Sequence, residues 1–357
     1  MPTARQTNTK EESTMSNHNH MEGFIPDYVL QDIARLNPLL LSPKRTMLET
    51  QKLFLKAISQ QGNIRQLTSG GSTAQRKIYD AQNRRTLPGT RARFEGDAAT
   101  GDAIVDAAYE YHGDTLIFVK EVMGRNSIDN QGMNLLGTVH YGVDYDNAFW
   151  NSRQMVYGDG DKVIFITFVR PTVVGHELFH GITEHTSGLE YQGQSGALNE
   201  SLSDVGGILV RQYKGRLTAD KDSWLLGTGL FAKGINARAL RDMLNPGTAY
   251  DDPKIGKDRQ PAHMKDLYTG WSDNGGVHIN SGIPNKAFAT FAIAAGGYAW
   301  EAPFEVWSET AFGKNRVGSN AQFQDFADLS VSNCSSLQPK LVDQLVKAWD
   351  GVGIIVK

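Results

Sequence analysis

Val173-Val174-Gly175-His176-Glu177-Leu178-Phe179-His180 decides the reading of this chain, with Glu200 twenty residues beyond His180. Pro171 just ahead of the run predicts a helix start, because a proline at the first helical position loses no N–H that the helix needs. On that helix His176 and His180 share one face and can reach one ion. Glu177 stands beside them, placed to take a proton from water at the metal. A catalytic zinc keeps three protein ligands and an open position. Glu200, in Gly196-Ala197-Leu198-Asn199-Glu200-Ser201-Leu202-Ser203-Asp204, is the candidate third ligand. Asp204, one turn later on the same face, can accept the outer N–H of a ligating histidine and fix its tautomer. A five-residue pattern also arises by chance. Two histidines and a glutamate on so apolar a helix nevertheless need a partner, and a metal is one.

The 357 residues, 40% of them hydrophobic, suffice for two or three domains with their own cores. Net charge is −3, with both signs well mixed and no basic tract, so nucleic acid is not an expected partner. No apolar run reaches about 18 residues, so no membrane span is expected. Cys334 is the sole cysteine, which excludes an internal disulfide and a thiolate zinc cluster. It lies in a polar stretch far from any histidine and reads as structural or incidental. The N-terminal MPTARQTNTKEESTMSNHNHMEG lacks the apolar stretch of a secretory signal. The expectation is a cytoplasmic protein, or one exported by a route that needs no such signal.

Residues 1–22 read as a disordered polar tail. Residues 23–60 read as a short helical segment. Phe24-Ile25-Pro26 leads into Tyr28, Leu30, Ile33 and Leu36 at helical spacing, and a second helix is expected over 47–58, with Leu48, Phe54, Leu55 and Ile58 for packing. Residues 61–75, with Ser69-Gly70-Gly71-Ser72-Thr73, read as a linker. A segment this short buries little by itself and is expected to pack on the body of the protein.

Beyond it, helices are expected over 102–111 and 127–134, and strands over 115–122, 136–141, 154–157 and 163–169. After Pro171 the pattern turns helical, over 196–214, 285–295, 303–312, 321–331 and 339–349. The fold class is α+β. A strand-containing N-terminal lobe (76–190) carries the histidine helix, a mainly helical C-terminal lobe (191–357) follows, and the zinc helix lies between them, where clefts form.

Acyl transfer also needs a donor for the developing oxyanion. His278, in Asp273-Asn274-Gly275-Gly276-Val277-His278-Ile279-Asn280, is a candidate with Asp273 to orient it, although spacing alone leaves a structural role open. Gly158-Asp159-Gly160-Asp161 is too short for an EF-hand loop and reads as a tight turn.

From about Lys77 to Lys357 the chain resembles the thermolysin-like (M4) zinc metallopeptidases, and more narrowly their protealysin-type members with a short N-terminal propeptide. The blocks that carry the resemblance include IYDAQN at 78–83, LPGTRAR at 87–93, GRNSIDNQGM at 124–133, VHYG at 139–142, NAFWN at 147–151 and MVYGDGD at 155–161. They continue with VVGHELFHGIT at 173–183, SGALNESLSD at 195–204 and DNGGVHINSGIPNKAF at 273–288.

The resemblance implies a two-lobe fold and an endopeptidase cutting before bulky hydrophobic residues. It implies His176, His180 and Glu200 as ligands of one Zn²⁺, Glu177 as general base, and His278, oriented by Asp273, with Tyr191 as oxyanion donors. It implies Asn147 and the Ala148 backbone as holders of the substrate main chain. Arg241 would bind the carbonyl just beyond the scissile bond, with Leu240 and Val173 in the apolar pocket on that side. The segment from Phe24 to about Ile58 resembles the family's short propeptide, expected to cover the cleft until cleavage within 59–75.

Better-known members hold a double calcium site near the active site. This chain has Thr172, Arg211, Ser223, Leu225 and Thr228 where acids are expected, so that site is expected to be absent, with calcium elsewhere left open. Peptides or proteins are the expected substrates, a monomer the expected state, and a dedicated protein inhibitor is compatible with the sequence. The alternative class is a catalytically weak binding or scaffold protein that keeps the fold. An aminopeptidase would need an acidic anchor for a free amine, and none is identifiable.

Overall fold

The computed structural model describes residues 23–59 and 73–357, so the polar tail, and the linker expected at 61–75 apart from residues 73–75, lie outside the described residues. The side chains of Phe54, Leu55 and Ile58 lie outside them too.

The N-terminal lobe is built on a five-stranded sheet of order β2-β1-β3-β5-β4. Its strands are β1 (Arg76–Asp80), β2 (Thr90–Phe94), β3 (Leu135–Val139), β4 (Ala148–Trp150) and β5 (Met155–Tyr157). The central pairs β1–β3 and β3–β5 are parallel, whereas β2 and β4 run antiparallel at the two edges. That puts β4, with Asn147 immediately before it, at an open edge where an extended chain can add.

Two helices, α1 (Asp27–Leu36) and α2 (Ser42–Ser59), precede the sheet. The second begins five residues before the expected start at 47, and Leu48, expected to pack, is exposed. Helix α3 (Ala103–Glu121) is capped by Asp102, whose carboxylate accepts from the N–H groups of Ile104 and Val105.

The expected strand over 115–122 does not form, because α3 runs on through Glu121. Thr115, Phe118 and Val119 are buried one turn apart, a helical period that a local cluster of β-branched and aromatic residues masks. Nor is 127–134 a helix. Asp129 Oδ1 accepts from the N–H groups of Gln131 and Met133 at 2.8 and 3.0 Å, and Ser127 and Asn130 are left-handed (φ 67° and 59°). Residues 163–169 make no strand either. Asp161 Oδ1 takes the N–H groups of Val163, Ile164 and Phe165 at 2.9, 2.7 and 3.1 Å, so a side chain satisfies the donors a ladder would use.

Helix α4 (Pro171–Glu184) starts with Pro171 in its first turn and is buried along almost all its length. Helix α5 (Gly193–Gly215) crosses it where both backbones are bare. A Cβ on Gly175 would lie 2.9 Å from the Gly207 Cα, and one on Gly207 would lie 2.4 Å from the Thr172 carbonyl oxygen. This close approach brings the ligand candidates of the two helices together.

The C-terminal lobe continues through α6 (Ser272–Asn280), α7 (Gly282–Ala295), α8 (Ala302–Phe312), α9 (Phe323–Leu337) and α10 (Val342–Asp350). Its core is aromatic. The rings of Trp307 and Trp349 stack 5.3 Å apart, with Phe326 edge-on to both. Cys334 is buried on α9, and burial pushes its thiol up to about 11.

Candidate active site

His176 and His180, one turn apart on α4, present their Nε2 atoms to each other at 3.0 Å. Glu200 reaches in from α5, with Oε2 3.5 Å from His176 Nε2 and Oε1 3.3 Å from His180 Nε2. Ligand atoms of all three lie within 4.8 Å of one another.

The outer nitrogens fix the tautomers. His176 Nδ1 lies 2.7 Å from Asp204 Oδ1, and His180 Nδ1 lies 2.9 Å from the Asn199 amide oxygen. With a proton on each Nδ1, the two Nε2 lone pairs face each other and a buried carboxylate, and Glu200 Oε2 has no hydrogen-bond partner. Two nitrogens and an anionic oxygen in this array fit a tetrahedral Zn²⁺. Burial alone would raise the Glu200 carboxyl, but His278 and the two facing histidines hold it well below its usual range.

Asp204 ties together three parts of the site. Its Oδ1 also accepts from Arg241 Nε and Nη2 at 3.1 and 2.8 Å, and its Oδ2 accepts from Asn285 Nδ2 at 2.8 Å. Glu177 turns the other way. Its Oε2 accepts from the Trp150 backbone N–H at 2.8 Å, and its Oε1 is buried without a partner. Burial pushes this carboxyl up to about 8.

His278 comes from a turn that sequence spacing could not place. Asp273, Asn274, Gly275 and Gly276 are all left-handed (φ 56°, 49°, 79° and 85°), and the helix proper begins after them. Asp273 Oδ2 accepts from the backbone N–H groups of His278 and Ile279, both at 2.9 Å, and its Oδ1 lies 2.6 Å from His278 Nδ1. That aims His278 Nε2 at the Tyr191 hydroxyl, 3.1 Å away, and at Glu200 Oε1, 3.5 Å away. The Tyr191 hydroxyl itself donates to Glu200 Oε1.

The cleft between these groups and β4 is filled by the chain's own N-terminal segment. Phe24 donates its N–H to the Ala148 carbonyl at 2.9 Å. Ile25 donates its N–H to Asn147 Oδ1 at 2.8 Å and accepts from Asn147 Nδ2 at 2.9 Å. Arg241 Nη1 donates to the Phe24 carbonyl at 3.4 Å, and its guanidinium lies 4.6 Å from the Phe24 ring. The Phe24 side chain is fully buried, and its ring and the Leu240 side chain both lie beside Gly227.

The expected metal-ligand, acid–base and main-chain-holding residues meet in this one network of contacts. The sequence reading missed Asn285, Asn199 and the backbone of Trp150. Asn199 lies next to the third ligand candidate and Asn285 lies inside a quoted block, so the signals were present. Their partners are remote in sequence, and no periodicity marks them.

A two-lobed fold with a largely buried His-His-Glu cluster and a carboxylate beside it fits a metal-dependent peptidase. Two family models cover most of the chain: "Thermolysin metallopeptidase, catalytic domain" matches residues 45–184, and "Thermolysin metallopeptidase, alpha-helical domain" matches residues 187–354. The chain belongs to the thermolysin metallopeptidase family and is a zinc metalloendopeptidase. It is 45% identical to protease PrtS of Photorhabdus sp. (strain Az29), over 95% of this chain and 94% of that protein. It is 44% identical to an extracellular metalloprotease of Pectobacterium carotovorum subsp. carotovorum, over 93% of this chain and 96% of that protein. The precursor of protealysin from Serratia proteamaculans superposes with a TM-score of 0.84 at 47% identity, covering 93% of this chain and 99% of that one. Among the described residues, no helix is long and apolar enough to cross a membrane.

Proposed function

We propose that the chain hydrolyses internal peptide bonds on the N-terminal side of bulky hydrophobic residues, and that it is made as a precursor whose segment 23–60 blocks the cleft. The observation that carries this reading is the seating of Phe24 and Ile25 along Asn147, Ala148 and Arg241, with the Phe24 ring buried near Leu240.

His176, His180 and Glu200 would hold the zinc, which when bound supplies Lewis-acid polarisation and acidifies water. Glu177 takes the water proton at Oε1, its unpartnered oxygen, and delivers it to the leaving nitrogen. Burial raises the basicity of this carboxylate, which favours taking the proton. Tyr191 and a doubly protonated His278, balanced by Asp273, donate to the oxyanion. Asn147, the Ala148 carbonyl and Arg241 fix the substrate main chain, and Leu240 and Val173 receive the side chain that follows the cut.

No double calcium site is part of this reading. Arg211 Nη1 donates to the Leu225 carbonyl at 2.7 Å and its Nη2 pairs with Asp222, so a cation fills that region. Thr172 Oγ1 accepts from the Gly227 N–H at 3.0 Å. Removal of the blocking segment is assigned to cleavage within 61–75. An extracellular destination is proposed from the name of the Pectobacterium relative.

Internally quenched peptides with a central Gly-Leu, Gly-Phe or Gly-Asp bond, amine-blocked, test the specificity. Cleavage before Leu and Phe but not Asp is expected. Equal cleavage of all three would overturn the hydrophobic preference, and zinc binding without any cleavage would favour a scaffold role.

A further inference from the structure

We propose that the enzyme cuts its own Gly23–Phe24 bond, within the same molecule, and retains the product segment that begins at Phe24. The inference rests on the assignment of Asn147, Ala148 and Arg241 as substrate holders.

The contacts of Phe24 carry it. Phe24 donates its N–H to the Ala148 carbonyl and gives its own carbonyl to Arg241, while Ile25 exchanges two hydrogen bonds with the Asn147 side chain. With Arg241 as the holder of the carbonyl just beyond the scissile bond, Phe24 is the residue that follows the cut, and the bond on its N-terminal side is Gly23–Phe24. On the other side of Phe24, its ring meets the His176 ring edge-on, centroids 5.1 Å apart. All the main-chain grips described fall on Phe24 and Ile25, after that bond.

Gly23 itself is tightly specified, since a Cβ there would come within 2.5 Å of the Asn147 amide group.

Hydrolysis adds water across the bond. The water oxygen goes to the Gly23 carbonyl carbon as the C–N bond breaks, giving a carboxylate, and both water protons end on the Phe24 nitrogen, giving a terminal ammonium. The product stays because other contacts hold it. Asp32 pairs with Arg259, and Asn37 Nδ2 donates to the Lys254 carbonyl at 2.7 Å. Release of residues 1–23 is thus separate from release of the blocking segment, which requires the later cut in the linker.

The test uses the full chain loaded with zinc, as wild type, as Glu177→Ala, and as a mixture in which the Glu177→Ala chain is isotope-labelled. Intact mass and N-terminal sequencing follow the cut, and the same samples are assayed on a quenched peptide after the segment is freed. A new N-terminus Phe24-Ile25-Pro26 is expected in wild type, absent from Glu177→Ala alone and from the labelled chain in the mixture. Peptide hydrolysis with no Phe24 terminus overturns the proposal and leaves the endopeptidase assignment standing. A labelled chain cut as fast as wild type overturns the intramolecular step. Wild type inactive on both peptide and self refutes the reading beneath.

Discussion

Phe24 of the N-terminal segment meets His176 of the zinc-site helix edge to face, at 88° between ring planes. The same phenylalanine lies under the Arg241 guanidinium and gives that arginine its carbonyl. One residue thus meets a ligand candidate, buries its ring and occupies the arginine proposed to hold a substrate.

Phe24→Ala should weaken the block. Truncating a buried phenylalanine costs about 3 kcal/mol, roughly a hundredfold in occupancy. Chains whose residues 24–59 are verified as intact by mass should hydrolyse a quenched peptide correspondingly faster than wild type. An unchanged rate would place the inhibition elsewhere.

Asp204→Asn should loosen the metal. The substitution removes the charge facing His176 Nδ1 and unpairs Arg241. Loss of such an outer partner lowers zinc affinity by about ten- to a hundredfold. Competition with a fluorescent zinc chelator measures this directly, and a wild-type affinity would remove Asp204 from the account.

Stability should fall as pH rises through neutrality, because of Asp146. This carboxyl is buried beneath α2, beside Asp161, Ser42 and Asp144, and burial and then Asp161 raise it from 3.8 to about 8. Between those values the folded chain holds a proton that the unfolded chain has lost, so folding binds a proton and weakens with rising pH. The unfolding midpoint of the uncleaved chain should drop by at least about 5 °C from mildly acidic to mildly alkaline pH. Asp146→Asn should flatten that slope, and a variant with the wild-type slope would contradict the assignment.

Calcium should matter little around Arg211. A calcium-selective chelator added at fixed zinc is expected to leave the unfolding midpoint unchanged. A fall of several degrees, reversed by calcium, would show a site that the Arg211–Asp222 pair was thought to replace.

The chemistry of the site was far more legible than its architecture. His176, Glu177 and His180 declare themselves through helical spacing, and Glu200 and Asp204 repeat that spacing on the next helix. The Asp204–Arg241–Asn285 contacts join segments of 37 and 81 residues' separation, which no local pattern encodes. The four left-handed residues before His278 are likewise invisible to periodicity. The lost strands at 115–122 and 163–169 share one cause, β-branched and aromatic residues that also suit a buried helix or an Asp-braced loop. The N-terminal segment forms two helices, and its contacts with Asn147 and Arg241, remote in sequence, are what show how it seats in the cleft.

The most direct test of the zinc endopeptidase account is metal content measured alongside hydrolysis of an amine-blocked, internally quenched Gly-Leu peptide, for wild type and Glu177→Ala freed of residues 1–59. The account predicts one zinc per chain in both proteins, with hydrolysis in wild type abolished by chelator and by the substitution. Full activity in Glu177→Ala, or bound zinc with no hydrolysis in wild type, would contradict it.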